Sequence, residues 1–154
     1  MVKYVKGDLL ETHCDYICHQ VNCQGVMGSG IAKQIREKWP EVFDEYIRRC
    51  NAAPSDNPSF WLLGTPQYVI VGDICVINMF SQKDYGYDQR RYTSYDAFWE
   101  CLVDIACTTS VGKSIGFPKN IGCGLGGGDW NIISTMIEDV LGKDFDVYIY
   151  ERDE

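Results

Sequence analysis

Apolar positions along the chain alternate between two textures. Short, nearly continuous apolar runs of strand length are separated by longer stretches in which apolar residues recur at helical spacing. The opening "YVKGDLL" reads as a short strand that turns at Gly7-Asp8. "DYICHQVN", from Asp15 to Asn22, is mostly apolar and reads as a buried strand. "CQGVMGSG" then forms a glycine-punctuated loop. From Ser29 the spacing turns helical, with Ile31, Ile35 and Trp39 at i, i+4 and i+8. Pro40 interrupts this helix, and "EVFDEYIRRC" forms a second helical segment. A polar, turn-rich loop is expected over 51–59.

"PQYVIVGDICVINMF" predicts two strands around the tight turn Gly72-Asp73. A polar, aromatic loop follows, "SQKDYGYDQRRYTS". "SYDAFWECLVDIACT" is helical with Ser94 as N-cap, and "SIGFP" is a short strand. "KNIGCGLGGG" is a second glycine loop. In "DWNIISTMIEDVLG" the residues Ile133, Met136, Ile137 and Val140 share a helix face, and Gly142 closes the helix. "FDVYIY" is the last strand. Strands alternating with helices predict an α/β fold, one layered sheet with helices on both faces.

The chain has 154 residues, which fits one domain over 1–154 with a full core. Fourteen basic against 22 acidic side chains give a net charge of −8. That balance argues against broad binding to nucleic acid or anionic membranes, which needs a basic footprint. A small anion remains possible, because a local cradle of backbone N–H groups binds phosphate on an acidic protein too. None of the eight cysteines is spaced C-x-x-C, and only two histidines exist, His13 and His19. No metal cluster or cofactor is implied. Most cysteines lie in apolar runs, where a reduced thiol acts as a small hydrophobe, so free thiols in a reducing, cytoplasmic compartment are expected. No apolar h-region or transmembrane run is present. Nothing in the pattern signals an oligomeric state.

Each glycine loop follows a strand and precedes a helix. Both should lie beyond the carboxyl ends of the strands, where such sheets bind ligands. Glycines let a backbone approach a ligand closely or adopt φ > 0, and a helix N-terminus favours an anion. Two such loops facing one another would hold a diphosphate; two tight connections without a ligand are the plain alternative. Neither loop is a P-loop, since no G-K-[ST] follows, and "GVMGSG" has the wrong order for a dinucleotide fingerprint.

The string "VKGDLL", then "ICHQVNCQGVMGSGIAKQI", "FPKNIGCGLGGGDW" and "VYIYE" resembles the macro domain, the ADP-ribose-binding module. The likeness runs over nearly the whole chain in the right order. It implies a three-layer α/β/α fold with a mixed central sheet. Histidine before the Asn22 loop and the following "GSGIA" resemble the small macro domains that act as ADP-ribosyl hydrolases or ADP-ribose 1''-phosphate phosphatases. The resemblance implies that Asp8, with Leu9 beside it, meets the adenine, and that Asn22 contacts the distal ribose. Gly28, Ser29, Gly30 and Ile31 would line the diphosphate and distal ribose. Gly122, Cys123, Gly124, Leu125 and Gly126 would form the second phosphate loop, with Cys123 contributing its N–H. Tyr150 would stack on adenine. The partner implied is ADP-ribose or an ADP-ribosylated substrate.

Four residues are candidates for chemistry: His19, Asn22, Lys83 and Asp129. His19, three positions before Asn22, is either a general acid or base at the distal ribose or a buried, hydrogen-bonded strand residue. Lys83 follows the middle strand, where the lysine of glutamate-linked ADP-ribose hydrolases attacks the distal ribose; otherwise it is a solvated lysine. That branch carries an aspartate directly after "GCGL", where this chain has Gly126. The antitoxin-like branch, which reverses ADP-ribosylation of DNA, instead ends its loop in G-G-x-D-W, as "GGGDW" does here. Asp129 in that string is either part of the chemistry or the N-cap of the last helix. "YGYDQRRYTSY", Tyr85 to Tyr95, would be a lid over the distal ribose, a strip for single-stranded nucleic acid, or a packed surface loop. A pure ADP-ribose reader without turnover is the rival to an enzyme.

Overall fold

The apolar runs do become strands of one sheet. The computed structural model describes residues 1–152. Six strands are present: β1 (Val2–Lys6), β2 (Tyr16–Asn22), β3 (Pro66–Val71), β4 (Ile74–Gln82), β5 (Ser114–Pro118) and β6 (Asp146–Glu151). Their order is β1-β6-β5-β2-β4-β3. Every neighbouring pair is parallel except β3 and β4, which form an antiparallel hairpin. The hairpin turns at Gly72, whose φ of 60° suits a residue without Cβ. The sheet is therefore mixed.

Helices α1 (Gly30–Lys38), α2 (Pro40–Ala52), α3 (Pro58–Leu62), α4 (Tyr95–Thr108) and α5 (Trp130–Leu141) cover both faces. Side-chain alternation along the strands divides the core. Cys18, Ile77 and Met79 face α4 and α5, packing with Phe98, Leu102, Ile133 and Ile137. On the opposite face Val76 meets Ile35 and Val42, while Val21 and Phe80 meet Tyr46 and Leu62. Ser94 caps α4 by accepting from the Ala97 N–H at 3.1 Å, as the sequence predicts. Two short elements depart from the expectation. The loop over 51–59 overlaps α3, because Pro58 at the first helical position leaves no N–H orphaned. Asp8 does not merely turn the chain; it caps a single 3₁₀ turn, Leu9–Glu11.

β2 lies between β5 and β4, so β5 and β2 run side by side in the same direction. The chain leaves β2 toward α1 on one face and β5 toward α5 on the other. A crevice opens between the two departures, at the carboxyl edge of the sheet. Among the described residues no helix is long and apolar enough to cross a membrane, and all eight cysteines are free.

A polar chain runs through the layer beneath α2. The ring Nε2 of His19 lies 2.5 Å from Asn78 Oδ1, Asn78 Nδ2 donates to Gln67 Oε1 at 3.0 Å, and Gln67 Nε2 donates to the Glu45 carbonyl at 2.9 Å. The terminal carbonyl can only accept. It therefore orients both amides and leaves His19 as the donor at Nε2. Nδ1 has no partner among the described residues, and the ring is fully buried. Burial pushes its pKa down to about 4, against a smaller opposing effect of Asn78. Below pH 6.5 the unfolded chain binds a proton at His19 that the folded chain refuses. Stability is therefore lost as pH falls from 6.5 toward 4, and the loss levels off once the folded ring also protonates. The gap corresponds to about 3 kcal/mol at most. Urea unfolding of His19→Gln at neutral and at mildly acidic pH should show a smaller acid-induced loss than the wild type; an identical loss would count against a neutral buried ring.

Candidate active site

The crevice holds a bent cleft with two compartments. The inner one, about 310 Å³, lies between the loop after β2 and the loop after β5. The outer one, about 910 Å³, extends toward the ends of β1 and β6 and includes Asp8, Leu9 and Tyr150. Ile31, Pro118, Lys119 and Asn120 line both compartments and so mark their junction.

The first loop is shaped from below by Tyr46 of α2, which is fully buried. Its hydroxyl accepts from the Gly25 and Val26 N–H groups, both at 3.1 Å, and lies within hydrogen-bond distance of the Asn22 carbonyl at 2.7 Å and Oδ1 at 2.8 Å. The β2 register shifts between Val21 and Asn22, and this irregularity lets both residues turn toward α2. Asn22 also accepts from the Gln24 N–H at 2.9 Å and donates one amide hydrogen to the Val26 carbonyl at 2.8 Å. The Asx turn is thus real. The second amide hydrogen has no protein acceptor among the described residues, and Asn22 lines the inner compartment.

Past the turn, the N–H groups of Gly28, Ser29, Gly30 and Ile31 find no acceptor among the described residues. Ser29 occupies the N-cap position of α1 without a side-chain capping bond. The α1 terminus is therefore left open toward the cleft, an arrangement that favours an anion. On the facing loop the N–H groups of Gly122, Gly124, Leu125 and Gly126 are likewise unpaired among the described residues.

Two expectations for this second loop need correction. The Cys123 N–H is not a ligand donor, because it is spent on the Asn120 carbonyl at 2.8 Å. The thiol turns away to the Ile121 carbonyl at 3.3 Å and packs on the core, and burial pushes its pKa up to about 11. Cys123 is a packing residue. The glycine run, moreover, is required mostly by the protein itself. A Cβ on Gly126 would lie 2.6 Å from Thr93 Oγ1 and 2.7 Å from the Gly122 carbonyl, and one on Gly127 would lie 2.7 Å from the Arg90 carbonyl. The segment 82–95 causes this crowding. Tyr92 and Thr93 donate their N–H groups to the Gly126 carbonyl, and Thr93 Oγ1 donates to the Gly122 carbonyl at 2.6 Å. Gln20, reaching up from β2, donates to both Gln82 at 2.6 Å and Thr93 at 2.9 Å. Only Gly124 is open, with nothing within 4 Å of its ideal Cβ.

The four candidates for chemistry scatter. His19 is buried away from the cleft and neutral, so the buried alternative is the one realised. Asp129 caps α5, accepting from the Asn131 N–H at 2.8 Å, and does not line either compartment. Its carboxylate fills the α5 terminus, so that helix offers no open end to a ligand. Lys83 is exposed at the rim, outside the cleft lining, and its carbonyl ties down the first loop by accepting from the Cys23 N–H at 3.1 Å. Only Asn22 lies in the inner compartment. At the adenine end, Asp8 Oδ1 accepts from the Leu10 N–H at 2.9 Å and Oδ2 stands 3.7 Å from Arg152. The Tyr150 hydroxyl is held by Thr12.

Tyr85, Gly86 and Tyr87 line the inner compartment, and Asp88 bonds Tyr92 at 2.7 Å and Arg90 at 3.0 Å. Sequence reasoning missed Tyr46, Gln20 and Thr93 as site-building residues. No motif marks them, since each acts through a partner distant in sequence. Gly126→Ala should destabilise the fold by about 2 kcal/mol through the contacts above, whereas Gly124→Ala should stay within about 0.5 kcal/mol of wild type; paired urea melts measure both.

Known proteins are similar to this chain in sequence and in fold. The macro domain profile matches residues 18–137. A DNA ADP-ribosyl glycohydrolase of Mycobacterium tuberculosis is 29% identical over 152 residues, 97% of this chain and 42% of that protein. The chain thus spans about two fifths of that relative's length. An ADP-ribose 1''-phosphate phosphatase of Scheffersomyces stipitis is 29% identical over 175 residues, 97% of this chain and 99% of its own length. Among solved structures, the macrodomain of Mycobacterium tuberculosis DarG has a TM-score of 0.76 at 26% identity, with 99% of each chain covered. With the profile covering most of the chain and the sheet order, both glycine loops and the cleft in place, this protein belongs to the macro domain family.

Proposed function

We propose that this chain, residues 1–154 as one macro domain, binds ADP-ribose along the bent cleft and hydrolyses ADP-ribose derivatives at C1'' of the distal ribose. The observation that carries the reading is the pair of facing loops whose N–H groups, Gly28 to Ile31 and Gly122 to Gly126 apart from Cys123, lack acceptors among the described residues. A diphosphate satisfies such a row of donors without a cluster of cations. Adenosine then occupies the outer compartment, with the Asp8 carboxylate toward its amino group and Leu9 and Tyr150 on its walls. The distal ribose occupies the inner compartment, where Asn22 offers its free amide hydrogen.

Relatives named DNA ADP-ribosyl glycohydrolase and ADP-ribose 1''-phosphate phosphatase support hydrolysis. ADP-ribosyl groups on DNA, ADP-ribosyl groups on acidic side chains, and the free 1''-phosphate are the substrates to compare. Asn22 orients the ribose, and the Lys83 amine attacks C1'' from the rim as the bond from C1'' to the DNA base, carboxylate or phosphate breaks. That group leaves with the bonding electrons and takes up the proton the amine gives up, and water then displaces the lysine from C1'' to release ADP-ribose. Asp129 and His19 are left with structural roles. The eight free thiols support a reducing, cytoplasmic setting.

One observation favours a second reading, a reader that binds without turnover. Among the described residues lining the inner compartment there is no carboxylate and no imidazole. Incubation with ADP-ribosylated DNA, an ADP-ribosyl-glutamate peptide and ADP-ribose 1''-phosphate decides between them. The enzyme reading expects release from at least one substrate, with Lys83→Ala lowering kcat on the order of a hundredfold at unchanged affinity. Micromolar ADP-ribose binding with no release from any substrate leaves the reader. Asp8→Ala should weaken ADP-ribose about tenfold in calorimetry under either reading.

A further inference from the structure

Among the described residues, Lys119 is the one cation at the junction of the two compartments, while Lys6 and Arg152 line the outer one. Lys119 lines both compartments, and its backbone is fixed. Its N–H donates to the Tyr150 carbonyl at 2.9 Å, Pro118 before it ends β5, and Asn120 after it takes a left-handed φ of 66°. The side chain is free to move by comparison. It is 31% exposed, and its Nζ stands 3.5 Å from Glu151 Oε1. That same carboxylate oxygen also faces Lys6 at 3.9 Å. Among the described residues that line the inner compartment, Lys119 is the only one with a full positive charge. All the other donors there are neutral amides and hydroxyls. On a chain of net charge −8, an incoming anion meets unfavourable long-range repulsion unless a local cation offsets it.

We infer that Lys119 is a mobile diphosphate contact, held by Glu151 while the cleft is empty and transferred to the phosphates when ADP-ribose binds. The inference rests on the ADP-ribose reading above. Glu151 thereby becomes a competitor that lowers affinity. A half-exposed lysine–carboxylate pair is weak, and the lysine stem is flexible, so little opposes the transfer. The diphosphate gives the ammonium a doubly charged partner in place of one shared carboxylate.

Calorimetry on the full chain with ADP-ribose, and separately with adenosine, tests this at low and high salt. Lys119→Gln should weaken ADP-ribose about tenfold at low salt and flatten the salt dependence, leaving adenosine unchanged. Glu151→Gln should tighten ADP-ribose while Lys119 is present and have no effect in the double variant. Unchanged ADP-ribose affinity in Lys119→Gln overturns the inference, as does an equal loss for adenosine or a weakening by Glu151→Gln. If the wild type binds adenosine and ADP-ribose equally or binds neither, the reading of the cleft fails and the inference with it. Wild-type ADP-ribose binding with an indifferent Lys119 removes this inference alone.

Discussion

The loop after β5 is held from beneath so closely that a methyl group at Gly126 has no place to go. Thr93 and the Gly122 carbonyl fill the space its Cβ would need, and Gln20 closes the remaining side. This contact fixes the second wall of the cleft. It pins the loop's carbonyls downward onto the segment 82–95, which leaves the N–H groups at 122, 124, 125 and 126 without acceptors among the described residues. Gly124 and Leu125 are exposed, so their N–H groups are open to solvent, and a row of such donors suits an anion that supplies oxygens.

The opposite wall follows the same logic with other parts. There the buried Tyr46 hydroxyl collects the Gly25 and Val26 N–H groups and holds Asn22 in place. The turn it creates ends at an α1 terminus with no side-chain cap. One loop is thus held by a tyrosine from a helix and the other by a threonine and a glutamine from a strap and a strand. Tyr46 and Thr93 lie behind the cleft lining, while Gln20 also reaches the inner compartment. The loops are held mainly by groups behind the lining, which favours a preorganised cleft.

Gly126 also bears on the difference between hydrolase branches. An aspartate directly after "GCGL" cannot be added to this loop without displacing Thr93 and the Gly122 carbonyl. The absence of that acid is therefore built into the packing and goes beyond a single substitution. Asp129 does not replace it, because its carboxylate is committed to the α5 N-terminus outside the cleft. A reaction in the inner compartment would draw on Asn22, on water and on the exposed rim that carries Lys83.

The sequence by itself determined the order of the six strands and of every helix except α3, one layered α/β sheet with helices on both faces, and the placement of both glycine loops at the carboxyl edge; the mixed sheet was implied by the family resemblance. Hydrophobic period, glycine and proline are local signals, and these features depend on little else. Asn22, Ser29 and Gly124 were named by the resemblance to macro-domain motifs, and all three line the inner compartment. The tertiary structure alone decided that β5 and β2 are neighbours, which turns two separate loops into facing walls. It decided that the alternation of β2 points His19 into a buried amide chain, and that the Cys123 N–H is already used. It also decided why the glycines from 126 to 128 are needed, through contacts with residues 90–93 some thirty-five positions away and with Gly122. Each of these depends on which surface a side chain or N–H faces after packing. That is set by partners far along the chain and leaves no mark in the local pattern.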